Sequence, residues 1–101
     1  MRYDHQPLFR VTATGTTVTT SATSARTAIP TNGGGGTTKR IRLSAHAACY
    51  VKPLPGDSGA ATANDMHLAA GESVYLDVDG LTHIAALEDT AAAKYTITPL
   101  D

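Results

Sequence analysis

Three side-chain types that cooperate in nucleophilic acyl transfer lie close together in the chain. Ser58 sits in Gly56-Asp57-Ser58-Gly59, Asp57 precedes it, and His46 lies 12 residues upstream. A serine hydroxyl attacks a carbonyl when an imidazole takes its proton and a carboxylate orients that imidazole. The same tetrapeptide is also ordinary turn chemistry, since Asp and Ser bond their own backbone and Gly accepts positive φ.

The tetrapeptide resembles the nucleophile loop of trypsin-like proteases. Leu43 to Cys49, LSAHAAC, resembles a rearranged form of the stretch that carries their catalytic histidine. That family implies two β-barrels, with the histidine and serine motifs far apart in sequence. A chain of 101 residues is too short for two barrels. Ala60 stands where the family has its second glycine after serine, and His46-Ala47-Ala48 reverses the family's Ala-Ala-His order. A strand-to-strand loop is therefore expected at residues 56–59, and no catalytic residue is assigned.

The other chemical candidates thin out in the same way. Asp77-Val78-Asp79-Gly80, with Glu88 downstream, invites a calcium-loop reading. That loop wants glycine sixth and an oxygen ligand fifth, whereas here glycine is fourth and Leu81 is fifth. His5, His46, His67 and His83 share no ligand-like spacing. Glu72, Asp77 and Asp79 read as the outward face of a strand. Cys49 is a lone cysteine at an inward position, which excludes an intrachain disulfide and a Cys-rich zinc site. Gly33-Gly34-Gly35-Gly36 would cradle a phosphate only with a strand before it and a helix after it. A basic β-patterned segment follows instead, so a hairpin or surface loop is expected. No enzyme activity, metal, cofactor or small-molecule substrate is expected.

The elements that position these residues read as strands. The Thr-rich stretch 11–38 suits strands because β-branched side chains pack on a pleated surface. It gives short strands at Val18 to Ala22 and Ala25 to Ile29. From Lys39 the pattern alternates: Ile41, Leu43 and Ala45 on one face, Arg40, Arg42 and Ser44 on the other. Cys49 and Val51 resume that parity, with Tyr50 and Lys52 opposite, after a tight hairpin expected through His46-Ala47-Ala48. Pro53, Pro55 and Gly56 should end the strand. A short strand at Met66 to Leu68, a turn at Ala70-Gly71, and a strand with Val74, Leu76 and Val78 inward follow. Asp79-Gly80 turns the chain. LTHIAALE gives the next strand and KYTITPL the last. About eight short strands with frequent turns predict an all-β fold, a small antiparallel β-sandwich or jelly-roll-like barrel. It is one domain overall, with a Thr/Gly-rich arm and first strands over 1–38 and the main sandwich over 39–101.

Composition narrows the class further. The net charge is −1 and the pI near 6.4, so no basic surface advertises nucleic acid or an anionic membrane. One Phe, four Tyr and no Trp leave the core to Val, Ile, Leu and Ala. A core so poor in aromatics buries less per residue, which favours a protein stabilised by assembly. No apolar signal core opens the N-terminus, and no run is long enough to span a membrane.

Roughly residues 37 to 100 resemble small virion-associated β-proteins of tailed bacteriophages. The resemblance rests on Tyr50-Val51-Lys52, the Gly-Asp-Ser loop, Asp65-Met66-His67-Leu68, Ala70-Gly71-Glu72, Thr82 to Ala86, and the closing Tyr95 to Pro99. It implies a structural protein of the virion, made in the host cytoplasm, that binds and stabilises the capsid surface as a cement or decoration protein. The major capsid protein or another virion protein would be the partner, and a homo-oligomer is expected. A tail, connector or fibre-base component is the alternative. A carbohydrate or host-surface binding module is a second one, weakened by the lack of Trp. Contacts with capsid or subunit are expected from Thr12, Thr14, Thr16, Thr17, Val18 and Thr19, an uncharged segment suited to lie along a strand edge.

Overall fold

The computed structural model describes residues 11–32 and 36–100. It contains eight strands: β1 Thr16–Thr19, β2 Ala25–Ala28, β3 Arg40–Ala45, β4 Cys49–Leu54, β5 Met66–Leu68, β6 Ser73–Asp77, β7 His83–Glu88 and β8 Lys94–Leu100. Among the described residues there is no helix. The first sheet runs β1-β8-β3-β6 and the second β2-β7-β4-β5, with every pairing antiparallel. The chain therefore forms an all-β sandwich of two four-stranded sheets.

The strand order has a simple generator. β1 pairs with β8, β2 with β7, β3 with β6 and β4 with β5, as in one long hairpin folded at the β4–β5 loop. Wrapping that hairpin adds the contacts β8·β3 and β7·β4 and sends successive strand pairs to alternate sheets. This is the jelly-roll wrap.

Sequence parity decides what each strand buries. Ile41, Leu43 and Ala45 of β3, Cys49 and Val51 of β4, Ile84 and Ala86 of β7, and Tyr95 and Ile97 of β8 meet between the sheets. Leu68, Val78 and Ala93 complete this core. Each fully buried aliphatic side chain here contributes about 1.5–3 kcal/mol. The outward residues Arg42, Lys52, Tyr75 and Thr96 keep at least part of their surface in solvent.

Three boundaries differ from the sequence expectation. His46-Ala47-Ala48 is not a hairpin turn: β3 lies in the first sheet and β4 in the second, so these residues carry the chain around a corner. A tight hairpin needs residues tolerant of positive φ, which this tripeptide lacks. The corner is fastened when His46 N–H donates to the Lys94 carbonyl at 2.8 Å. The second difference is β4, which runs through Pro53 to Leu54. Pro53 lies past Val51, the last β4 residue paired with β5, so its missing N–H costs no ladder bond on that side. The first strand is also shifted from the expected Val18 to Ala22, to Thr16–Thr19.

Candidate functional site

The Gly-Asp-Ser-Gly loop is a strap. On the outer face of the second sheet Leu54, Ala85 and Leu87 form a small apolar strip, and Ala61 from the β4–β5 loop covers it. Three polar contacts hold the strap down. Arg26 on β2 donates from Nε to Asp57 Oδ1 at 2.7 Å and from a terminal guanidinium nitrogen to the Gly59 carbonyl at 2.8 Å. Ser24 Oγ accepts the Ala61 N–H at 2.8 Å. Gly59 adopts φ +114° and packs so close that an added Cβ would sit 3.0 Å from Leu54 Cδ2. Farther along, Asp65 closes the strap by accepting the Thr62 N–H at 2.7 Å.

This arrangement separates the residues that resembled a triad. Ser58 is exposed at one end of β4 and His46 lies beyond the other. The six residues of β4 alone span about 17 Å. The histidine near the loop is His83, whose Nε2 is 4.0 Å from Asp57 Oδ1 and whose Nδ1 is 2.8 Å from Thr82 Oγ1. Asp57 is occupied by Arg26, whose hydrogen bond and charge hold its carboxyl below the usual range, with His83 a lesser contributor.

A second constellation was not foreseen from the sequence. Tyr50 on β4 faces His67 on β5 as a direct cross-strand pair, with ring centres 5.0 Å apart and planes tilted by 57°. Asp89, at the start of the β7–β8 loop, lies 3.0 Å from His67 Nε2 and accepts from the Tyr50 hydroxyl at 3.4 Å. Outward parity marked Tyr50, but the β4–β5 register and the return of the β7–β8 loop bring its partners. Among the described residues no three His, Cys, Asp or Glu side chains gather to hold a metal ion.

The outer face of the first sheet carries a row of hydroxyls. Register aligns Thr17, Thr96, Ser44 and Ser73 across all four strands. Thr17 Oγ1 lies 3.0 Å from Thr96 Oγ1, Ser73 Oγ donates to Ser44 Oγ at 3.2 Å, and Arg42 donates to Ser73 Oγ at 3.0 Å. Among the described residues, the two large apolar side chains most exposed to solvent lie on this sheet. Val11, bridged to Leu100, is 61% exposed and Tyr75 on β6 is 58% exposed.

The segment expected to make contacts lies along the β1 edge of that sheet. Thr16 and Val18 are half-buried, whereas Thr17 and Thr19 are exposed. Thr14 is exposed just before Gly15. The Thr12 N–H donates to the Pro99 carbonyl at 3.2 Å. At the end of the sandwich beyond β2, a pocket of about 180 Å³ is lined by Ile29, Thr31, Thr37, Thr38, Leu81 and Thr82. Of the glycine run, Gly33, Gly34 and Gly35, like His5, fall outside the described residues, and Gly36 donates to Asn32 Oδ1 at 3.1 Å.

Comparison with known proteins finds no match among protein-family models, curated proteins or solved structures.

Proposed function

We propose that this chain is a structural protein of a tailed-phage virion that binds and stabilises the capsid surface. The observation that carries the reading is the outer face of the first sheet. It is lined by hydroxyls from four strands, with the Arg42 guanidinium among them donating to Ser73 Oγ, and it is edged by the exposed Val11 and Tyr75. Such a face offers hydroxyls and a cation to a shell subunit, while an aromatic side chain anchors the contact. The jelly-roll wrap, a form shared by viral capsid domains and lectins, agrees with the reading as an analogy of fold. Many copies on one particle would add weak contacts by avidity.

Mass photometry of undecorated phage capsids mixed with the purified protein tests the proposal. Saturable binding in hundreds of copies, with raised resistance of the particle to heat, is the expected result. Binding of a few copies would move the protein to the tail, connector or fibre base.

The Tyr50–His67–Asp89 group favours a second reading, a carbohydrate or host-surface binding module. A half-buried aromatic ring beside a carboxylate is an arrangement that can stack a sugar ring and accept its hydroxyls. Binding to a glycan array that Tyr50→Ala abolishes would select this reading over the capsid one.

A further inference from the structure

Four edge strands bound the two sheets: β1 and β6 in the first, β2 and β5 in the second. An edge strand presents backbone N–H and C=O groups that another strand can pair, and proteins blunt such edges with charge, shortness or cover. Three of these edges carry such a device. Arg26 sits inside β2 and is tied to the strap. β5 has only three residues, with His67 in the middle and Asp65 just before it. β6 ends on Asp77 and follows Glu72.

β1 differs. From Val11 to Ala25 the chain has no Asp, Glu, Lys, Arg or His. Thr16–Thr19 reads Thr-Thr-Val-Thr, residues that favour strands, and among the described residues β1 is paired only with β8. The regular ladder with β8 starts at Thr16, and before it the chain touches β8 again at the Val11–Leu100 bridge, so the regular open edge is these four residues.

We propose that β1 is a self-pairing edge. Two copies of the chain join their first sheets antiparallel through Thr16–Thr19, about a two-fold axis. An isologous contact needs a patch that complements itself. A strand of threonines around one valine meets that need, because hydroxyl faces hydroxyl and no like charges oppose each other. Parity limits the register. Only pairings of like-facing residues keep Thr17 and Thr19 outward and Thr16 and Val18 inward, so the axis passes at Thr17 or Val18. The hydroxyl row of each copy then continues into the next. Pairing with β6 is the weaker choice, since β6 brings the carboxylate of Asp77 and leaves its own edge open in an unclosed chain of copies. The self-contact goes beyond the capsid reading and is tested with no capsid present.

The test is sedimentation of the full chain over a concentration series, for wild type, Thr17→Lys and Thr17→Glu. Thr17 is exposed, so both variants should keep the wild-type circular dichroism and thermal transition. Wild type should form a dimer that dissociates on dilution. Each variant should weaken dimerisation by roughly tenfold through like-charge opposition, and an equimolar mixture of the two should restore it as a heterodimer. A wild-type monomer at every concentration would overturn the proposal, as would variants that dimerise unchanged. A trimer or open polymer would also overturn it and point to β1 pairing with β6. If wild type is monomeric but Thr17→Lys loses capsid binding, the edge belongs to a shell subunit and self-pairing fails while the capsid reading stands.

Discussion

Arg26 and Asp57, 31 residues apart in sequence, meet at 2.7 Å across the outer face of the second sheet. The contact explains why an Asp sits in the Gly-Asp-Ser-Gly loop: its carboxylate anchors a strap that covers Leu54, Ala85 and Leu87. Arg26→Ala should loosen the strap and leave the core between the sheets intact. Amide exchange at Ala61, which donates to Ser24, should speed up, while exchange at Leu43 and Ile97 stays slow. Acid should act in the same direction. The hydrogen bond and charge of Arg26 hold the Asp57 pKa below its ordinary 3.8. The stabilisation is therefore present above that value and is lost as pH falls through the lower folded one. Ala61 protection that is equal in wild type and Arg26→Ala at neutral pH would refute the strap.

Gly15 is required by space. An added Cβ there would sit 2.6 Å from the Ile97 carbonyl oxygen, a backbone atom that cannot rotate away. Gly15→Ala should cost about 1–3 kcal/mol, as overpacking against a fixed neighbour does. The loss should be read from urea unfolding. Early exchange of the Thr12 N–H bonded to Pro99 would localise the damage to the start of β1.

What the sequence makes legible follows from the range of the interactions. Alternation is local, so Ile41, Leu43, Ala45, Val74, Leu76, Tyr95 and Ile97 could be placed on their faces from period two alone. Which sheet a strand joins is not local. Ala45 and Cys49 are both inward whether the chain turns in a hairpin or crosses to the other sheet, and only the pairing of β3 with β6 and β8 decides. The same holds for the surfaces. Tyr50 showed its outward parity, but His67 and Asp89 reach it through register, and Arg26 reaches Asp57 across β7 and β4. Turns held by glycine were legible, since Gly71 and Gly80 take φ of +80° and +85° where Ala70-Gly71 and Asp79-Gly80 marked turns.

Tyr95 buries a hydroxyl in the core. Its ring is fully buried, and Thr27 on the facing strand β2 approaches the phenol without a bond of normal geometry, leaving it unpaired among the described residues. A buried donor without a partner is a cost. Tyr95→Phe removes the oxygen and keeps the ring, so stability should rise by about 1 kcal/mol. Thermal unfolding should move up by about 4–8 °C. Burial also raises the Tyr95 pKa above its ordinary 10.0. The fold therefore loses stability as pH climbs from that value toward the folded one, because only the unfolded chain gives up this proton there. The alkaline loss of stability above pH 10.0 should therefore be shallower in Tyr95→Phe than in wild type.

Cys49 reports on whether the sandwich opens. Its side chain is fully buried at the start of β4, and desolvation pushes the thiol above its ordinary 9.0. The thiolate is the reactive form, so burial lowers both access and the fraction that can react. A chromogenic disulfide reagent should label the native protein slowly at pH 8 and the urea-unfolded protein within mixing time. In native protein the labelling rate should follow the opening equilibrium. Gly15→Ala should raise that rate by the factor its stability loss predicts, because β1 pairs with β8 and β8 faces Cys49 across the core. Arg26→Ala, which loosens only the outer strap, should leave the rate within about twofold of wild type, the scatter expected of a surface substitution. If Arg26→Ala raises the rate as much as Gly15→Ala, the strap is part of the cooperative core and the division between the two packing layers fails.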